Sequence, residues 1–544
     1  MNKPTSRRQI VLNLVGEIID DRFYFGVSKM PMVFSELHII SENELSIMLD
    51  IKDDDQFIDN DGGNDNTRAV LLSIGKSVVF TDYDVKVNID KFFGFHFAVF
   101  GNTGAGKSNT IARIIQNVFV KKNYSAKGAK LVIIDSNGEY NKAFSEINSV
   151  NPDINHKLFV VDDSANNNFE IPVWALSVED WAILLHASEK TQIPVLRRAI
   201  DIARVFYKDE IDNELKNHIL ASALMGILLS SDSSPSKSDK LKSLIARFST
   251  EEIQLDTSYD GISVLEMITN SYGNMKNIDI AIAFFSQFIN DELSFDVSDD
   301  IVTYDLNQFL EAVEFATLYE GSISSQRIQE YTSTLINRLQ AIRNGVFGTI
   351  FSKTGYENLD QYIESLLGNN KIGDIVVSAL DDSVAEVIAK VVAKIILDYL
   401  KRQEIKAEIP VNLIVEEAHR FMKNESSFGA VGYNIFERIA KEGRKYGMLL
   451  GISSQRPSEL SKTVVSQCGN FIIHRVQNPD DLQYISKMVP YIDRNIISRL
   501  SYLQTGHALV FGSAINLPTL TKFDIAEPRT DSENARISEK WYIR

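Results

Sequence analysis

The chain has 544 residues, 44% of them hydrophobic, and a formal net charge of −17. That length exceeds what one hydrophobic core supports, so roughly two to four domains are expected. The composition excludes a disordered or fibrous chain, and the acidic balance excludes a surface coated in positive charge for indiscriminate nucleic-acid binding, though not a local basic channel.

The amino-terminal stretch MNKPTSRRQIVLNLVGEII has basic residues but neither a long apolar run nor a small-residue cleavage site, so it reads as a cytosolic start. No run of about 18 uninterrupted apolar residues occurs, and no membrane span is expected. The single cysteine, Cys468, permits no internal disulfide, fits a reducing cytoplasm and reads as a small buried hydrophobe. Within residues 1–90, QIVLNLVGEII, RFYFGV, LSIMLDI, AVLLSI and KSVVFT read as short β-segments between polar turns, the pattern of a small barrel or sandwich. The loop DDDQFIDNDGGND (53–65) lacks the fixed spacing of acids, glycine and final glutamate that a calcium loop needs, and reads as a solvated hairpin tip.

From residue 91 the pattern changes to strand–helix–strand. HFAVF (96–100), KLVIID (130–135) and KLFVVD (157–162) are apolar without alternation, as strands buried on both faces are. A helix is expected over about 107–121, with Ile111, Ile114, Ile115, Val118 and Phe119 on one stripe. These elements are a βαβ unit of a parallel sheet. Residues 178–370 are helical in pattern, with polar linkers such as SSDSSPSKSDK (230–240), and read as an insertion between the two halves of the α/β core, 91–177 and 371–523. The second half holds GDIVVSAL (373–380), a helix over 383–402, VNLIVE (411–416), MLLGISS (448–454), NFIIHRV (470–476) and ALVFG (508–512). The polar tail 524–544 is expected to pack on a neighbour or fray.

GNTGAGKS (101–108) satisfies G-x-x-x-x-G-K-[ST] at every fixed position, between a buried strand and an amphipathic helix. Gly101, Gly104 and Gly106 let the backbone curl, so that N–H groups along Asn102, Thr103, Ala105 and on to Asn109 point at phosphate oxygens. Lys107 is placed for the β- and γ-phosphates and the Ser108 hydroxyl for Mg2+. In VNLIVEEAHRF (411–421), Glu416 and Glu417 close a core strand. The first suits the magnesium–water shell, the second the attacking water. Asp135, in IDSNGEY with Glu139, competes for the magnesium role but fits a cap better. Gln455 ends the next strand and suits sensing of the γ-phosphate. Arg444 in KEGRKYG is a candidate arginine finger reaching a neighbour's nucleotide, with Arg456 and Arg475 as rivals. His419 lacks an H-x-x-x-H partner and reads as structural or coupling.

With these residues in place, the chain resembles the HerA family of the HerA–FtsK superfamily of P-loop ATPases. The resemblance rests on GNTGAGKSNT, IIDSNGEY, IVEEAHRF and the run RIAKEGRKYGMLLGISSQRPSELSKTVVSQCGNFIIHRVQNPDD (438–481), and it covers residues 90–175 and 370–525 well. It implies a RecA-like P-loop ATPase core with an amino-terminal small β-barrel and an inserted helical domain. It also implies a ring, usually a hexamer, that threads double-stranded DNA through its pore using ATP and Mg2+. By motif position, Lys107 and Ser108 carry over as nucleotide and magnesium contacts, Glu416 and Glu417 as the magnesium-side and catalytic acids, Gln455 as the sensor and Arg444 as the finger. The magnesium-side position holds Glu where many P-loop enzymes have Asp, which leaves the division of labour between the two acids open. Family analogy adds a separate effector, a nuclease or a sirtuin-type NADase, in DNA end processing or anti-phage defence. The competing reading is an ATP-binding ring scaffold that activates a partner with little translocation; a conjugation or secretion motor is the third.

Overall fold

A strand covered on both faces needs no polar alternation, and the apolar runs of this chain lie side by side accordingly. The computed structural model describes residues 12–542 apart from 13, 51–55, 60–65, 81–82, 121–124, 161–168, 189–190, 209–212, 291, 294–301, 325, 346, 352–355, 357, 369–370, 424–433, 489–493 and 533–536. Eleven strands form one sheet: β1 (Leu71–Ser77), β2 (Asp84–Asn88), β3 (His96–Phe100), β4 (Leu131–Asp135), β5 (His156–Val160), β6 (Ile372–Val376), β7 (Val411–Val415), β8 (Met448–Ser454), β9 (Cys468–Ile473), β10 (His507–Gly512) and β11 (Thr519–Lys522). Their order is β2-β1-β11-β10-β9-β3-β8-β7-β4-β6-β5. From β9 to β5 every neighbouring pair is parallel. β10, β11, β1 and β2 extend the sheet antiparallel. This is the α/β core that the sequence predicts.

Alternation of side chains across the sheet divides the core into two layers. Leu131 and Ile133 join Ile111, Ile114 and Ile115 of the helix Lys107–Phe119 on one face. Val132 and Ile134 join Val384, Val387 and Val391 of the helix Asp382–Arg402 on the other. The second layer continues into helices that occupy most of the chain between β5 and β6, where Trp181 and Phe309 stack with ring centroids 4.4 Å apart.

Several expectations are corrected. Among the described residues no closed barrel forms at the front. Gly16–Ile19 pairs with Arg22–Phe25 and Gln56–Asp59 with Asn66–Ala69 as separate hairpins, while β1 and β2 join the core sheet through β11. The first five residues of LSIMLDI lie in a helix, Glu42–Leu49, started by a capping box in which Ser41 N donates to Glu44 Oε2 at 2.8 Å. The stretch read as the linker SSDSSPSKSDK largely belongs to a helix, Ser234–Phe248, with a proline in its first turn. The tip of the acidic hairpin, 60–65, lies outside the described residues. No described helix is long and apolar enough to cross a membrane.

Candidate active site

In a parallel sheet the carboxyl ends of the strands open onto a crevice, and the deepest crevice lies where neighbouring strands connect in opposite directions. β3 stands between β8 and β9, and its carboxyl end runs into the glycine-rich loop. Gly101, Gly104 and Gly106 have φ of +155°, +69° and +114°, a region that L side chains rarely adopt. A Cβ on Gly101 would stand 2.6 Å from His474 Cβ, so no side chain fits there.

The loop is pinned from outside by backbone bonds. Asn102 N donates to Arg475 O at 2.9 Å, Gly506 N to Ala105 O at 3.0 Å, and Gly101 N to Ser454 O at 3.3 Å. β8, β9 and the approach to β10 therefore hold its shape. His474 is buried beneath it, with burial pushing its pKa down to about 3, so the imidazole is neutral and its Nδ1 bonds His507 O at 3.0 Å. Lys107 is 6% exposed. Burial lowers its pKa, against the opposing pull of Glu417, Glu416 and Glu139.

The acids meet the loop at the end of β7. Glu416 is 1% exposed, and its Oε1 accepts from Ser108 Oγ and from Tyr140 OH, each at 3.1 Å. Burial first, then the neighbouring Asp135, Glu139 and Glu417, raise the pKa of Glu416 well above the carboxylate range. Glu417 is buried with φ 47° and ψ 45°, a left-handed conformation unusual for a side chain of this size. Its Oε1 accepts from Gln455 Nε2, while Gln455 Oε1 accepts from Thr103 Oγ1. Gln455 thus links the phosphate loop to the second acid. His419 Nδ1 bonds Ser454 Oγ at 3.2 Å and lies 3.3 Å from Glu417 Oε2. Burial lowers the His419 pKa, against the opposing pull of Glu417.

Asp135 accepts from the backbone of Asn137, Gly138 and Tyr140 at 3.1, 2.8 and 3.1 Å, and so caps the turn after β4. Burial and Asp374 push its pKa up to about 6. Asn109 turns its amide away from the loop, donating to Asp524 O at 3.0 Å and accepting from Ala526 N at 2.9 Å. Arg444 stacks on Phe95, 3.6 Å from the ring centroid, just before β3. This is the opposite end of a five-residue strand from the loop, about 20 Å away from Phe95 to Gly101, and the structure does not bring Arg444 to its own chain's site. Arg456 pairs with Glu459 at 2.8 Å beside Gln455. Arg475 holds the loop through its carbonyl, and its buried Nε has no hydrogen-bond partner.

Tyr140, His474 and the segment Thr505–Gly506 were not legible as site residues. Nothing local marks them; only the sheet order brings them to the loop. Glu139 belongs to the same segment as Tyr140; its buried Oε2 has no hydrogen-bond partner, and burial raises its pKa. Oε2 of Glu416 and of Glu417 are likewise buried without a hydrogen-bond partner. Among the described residues no three His, Cys, Asp or Glu form a metal cage. One hydroxyl and one carboxylate with spare oxygens suit Mg2+, which keeps most of its ligands as water and phosphate.

A family model described as the central domain of helicase HerA matches residues 72–288. The chain is similar to the DNA double-strand break repair helicase HerA of Pyrococcus furiosus, 25% identical over 467 residues that cover 85% of this chain and 70% of that protein. The protein of the same description from Sulfolobus acidocaldarius is 23% identical over 477 residues, covering 86% and 72%. Among solved structures, VirB4 of Thermoanaerobacter pseudethanolicus is 13% identical with a TM-score of 0.48, covering 87% of this chain and 99% of that one. The plasmid coupling protein TrwB in complex with ADP and Mg2+ is 12% identical with a TM-score of 0.39, covering 86% and 97%.

Proposed function

We propose that this chain, which belongs to the HerA family of P-loop ATPases, couples ATP hydrolysis to the movement of double-stranded DNA through a ring of identical copies, a hexamer by the family resemblance. The observation that carries the reading is the continuous link from the phosphate loop through Thr103 and Gln455 to Glu417, beside the Ser108–Glu416 bond. Such a link lets the loop's occupancy set the position of a catalytic acid.

The glycine loop and Lys107 would hold the phosphates of ATP, and Ser108 with Glu416 the Mg2+. When bound, the cation neutralises charge between the β- and γ-phosphates and favours the ionised form of Glu416. Glu417 orients the attacking water and takes its proton. Gln455 fixes the Glu417 carboxylate and touches Thr103 on the loop. The partners of the two acids support this division of labour: a hydroxyl from the loop on Glu416, a movable amide on Glu417. Arg444 is offered to a neighbour's nucleotide. A separate effector, a nuclease or a sirtuin-type NADase, would receive the motor's output in the cytoplasm, in end processing or anti-phage defence. Co-purification from the native host tests that part.

The decisive measurement is the ATPase rate with and without linear duplex DNA, beside Glu417→Gln. DNA is expected to raise the rate several-fold, and the variant to lose turnover by about 100-fold or more while still binding nucleotide. A slow rate indifferent to DNA would favour the ring scaffold instead.

A further inference from the structure

The polar residue Gln116 begins the last turn of the helix Lys107–Phe119, is 3% exposed, and shares that part of the helix with the buried Ala112, Ile115 and Phe119. A buried amide must satisfy its donors and acceptor or cost stability. Gln116 does so entirely with backbone. Its Nε2 donates to Ala143 O at 3.0 Å and Pro528 O at 2.9 Å, and its Oε1 accepts from Glu527 N at 2.9 Å. Two turns earlier, Asn109 grips the same segment through Asp524 O and Ala526 N. The segment's ends are fixed too: Phe523 N donates to Gly506 O at 2.8 Å, and Asp531 N to Glu139 O at 2.9 Å. Phe523 also lies against His474 under the phosphate loop, with ring centroids 5.7 Å apart.

The strap after β11 therefore touches both segments that supply the donors to Glu416. It is tied to Asn109, next to Ser108, and to the backbone of Glu139, next to Tyr140. Ser108 and Tyr140 are the two donors on Glu416 Oε1. Gln116 closes the triangle, joining the loop's helix, the segment carrying Glu139 and Tyr140, and the strap. We propose that the strap Phe523–Asp531 is a positioning element of the catalytic site, with Gln116 as its principal anchor. This rests on the ATPase reading above and adds to it a set of residues that touch neither nucleotide nor metal.

Gln116→Met keeps the volume and removes the three bonds. The test measures turnover against Mg2+ at saturating ATP, together with nucleotide binding in the absence of Mg2+. The Mg2+ needed for half-maximal rate is expected to rise roughly ten-fold, as for residues that orient metal ligands at one remove, with Mg2+-free nucleotide binding unchanged. A folded variant with unaltered Mg2+ dependence would overturn the proposal. If the variant fails to fold, hydrogen exchange on the unaltered chain decides. The amides of Ala526, Glu527 and Asp531 should slow when Mg2+ and a non-hydrolysable ATP analogue are added, and equal exchange with and without them rejects the idea. Failure of the unaltered chain to bind the analogue at all would sink the ATPase reading itself, and the same titration reports it.

Discussion

His96, the first residue of β3, has both ring nitrogens committed. Nδ1 accepts from Leu450 N at 2.9 Å and Nε2 bonds Ala440 O at 3.1 Å, an arrangement that only the neutral Nε2–H tautomer satisfies. Burial pushes its pKa down to about 4 from 6.5. The unfolded chain therefore takes up this proton first as pH falls, so the contribution of His96 is present above about pH 6.5 and is lost on acidification towards pH 4. Between pH 7 and 5 this amounts to about 2 kcal/mol. Thermal unfolding should show Tm falling over that interval, with a shallower fall in His96→Gln. Parallel curves for the two proteins would refute the assignment. At the site, the same reasoning separates Asp135 from Glu416. Both sit at strand ends and both are buried, but three backbone donors occupy Asp135, whereas Glu416 keeps an oxygen with no hydrogen-bond partner. Acids at the ends of buried strands look alike in a sequence; only the count of local donors distinguishes a cap from a ligand.

Gly451 lies opposite Phe97 across the β8–β3 pair, and a Cβ there would meet Phe97 Cζ at 2.3 Å. The ring in turn stacks on Phe92, with centroids 5.0 Å apart, and cannot retreat without disturbing the layer behind it. Gly451→Ala should cost about 1–3 kcal/mol through overpacking, read as a lower Tm. It should also slow turnover, because β8 carries Gln455 and β3 carries the loop. A variant of unchanged stability would show that the Phe97 ring yields to the added methyl, and would refute the overpacking. The buried strands were legible because strands covered on both faces are apolar at every position. The helix Glu42–Leu49 was misread because LSIMLDI is as apolar as a strand. The deciding signal, Ser41 followed three residues later by Glu44, lies just upstream of the run. β2 escaped notice because DVKVN offers only two apolar residues, although its alternation matches its alternately buried pattern. The phosphate loop was legible as a motif because its chemistry is contiguous. The strap was not, since nothing in DIAEPRT announces a partner some 400 residues earlier.

For the molecule as a whole, the place of Arg444 at the amino-terminal edge of the sheet decides which nucleotide it can serve. It stands a full strand's length from its own chain's loop, so a finger role requires another copy. Lys107→Ala and Arg444→Ala chains, each inactive alone, should regain a measurable fraction of the ATPase rate when mixed, because some interfaces then pair an intact loop with an intact arginine. Absence of recovery in mixed assemblies would remove Arg444 as the finger. A different consequence follows from the pairing of β11 with β1, where Thr521 meets Ser77 and Lys522 meets Lys76. The sheet joins the early part of the chain to nearly its last residues, and the strap that braces the loop at 101–108 emerges later still. On the ribosome, at roughly 5–20 residues per second, the loop waits for tens of seconds before its last supports are synthesised. During that interval β1 and β10 expose unpaired edges, so a chain cut short before Thr519 would present sticky strands together with an unbraced loop. Messages that stall late in translation should yield aggregation-prone products, not partial motors.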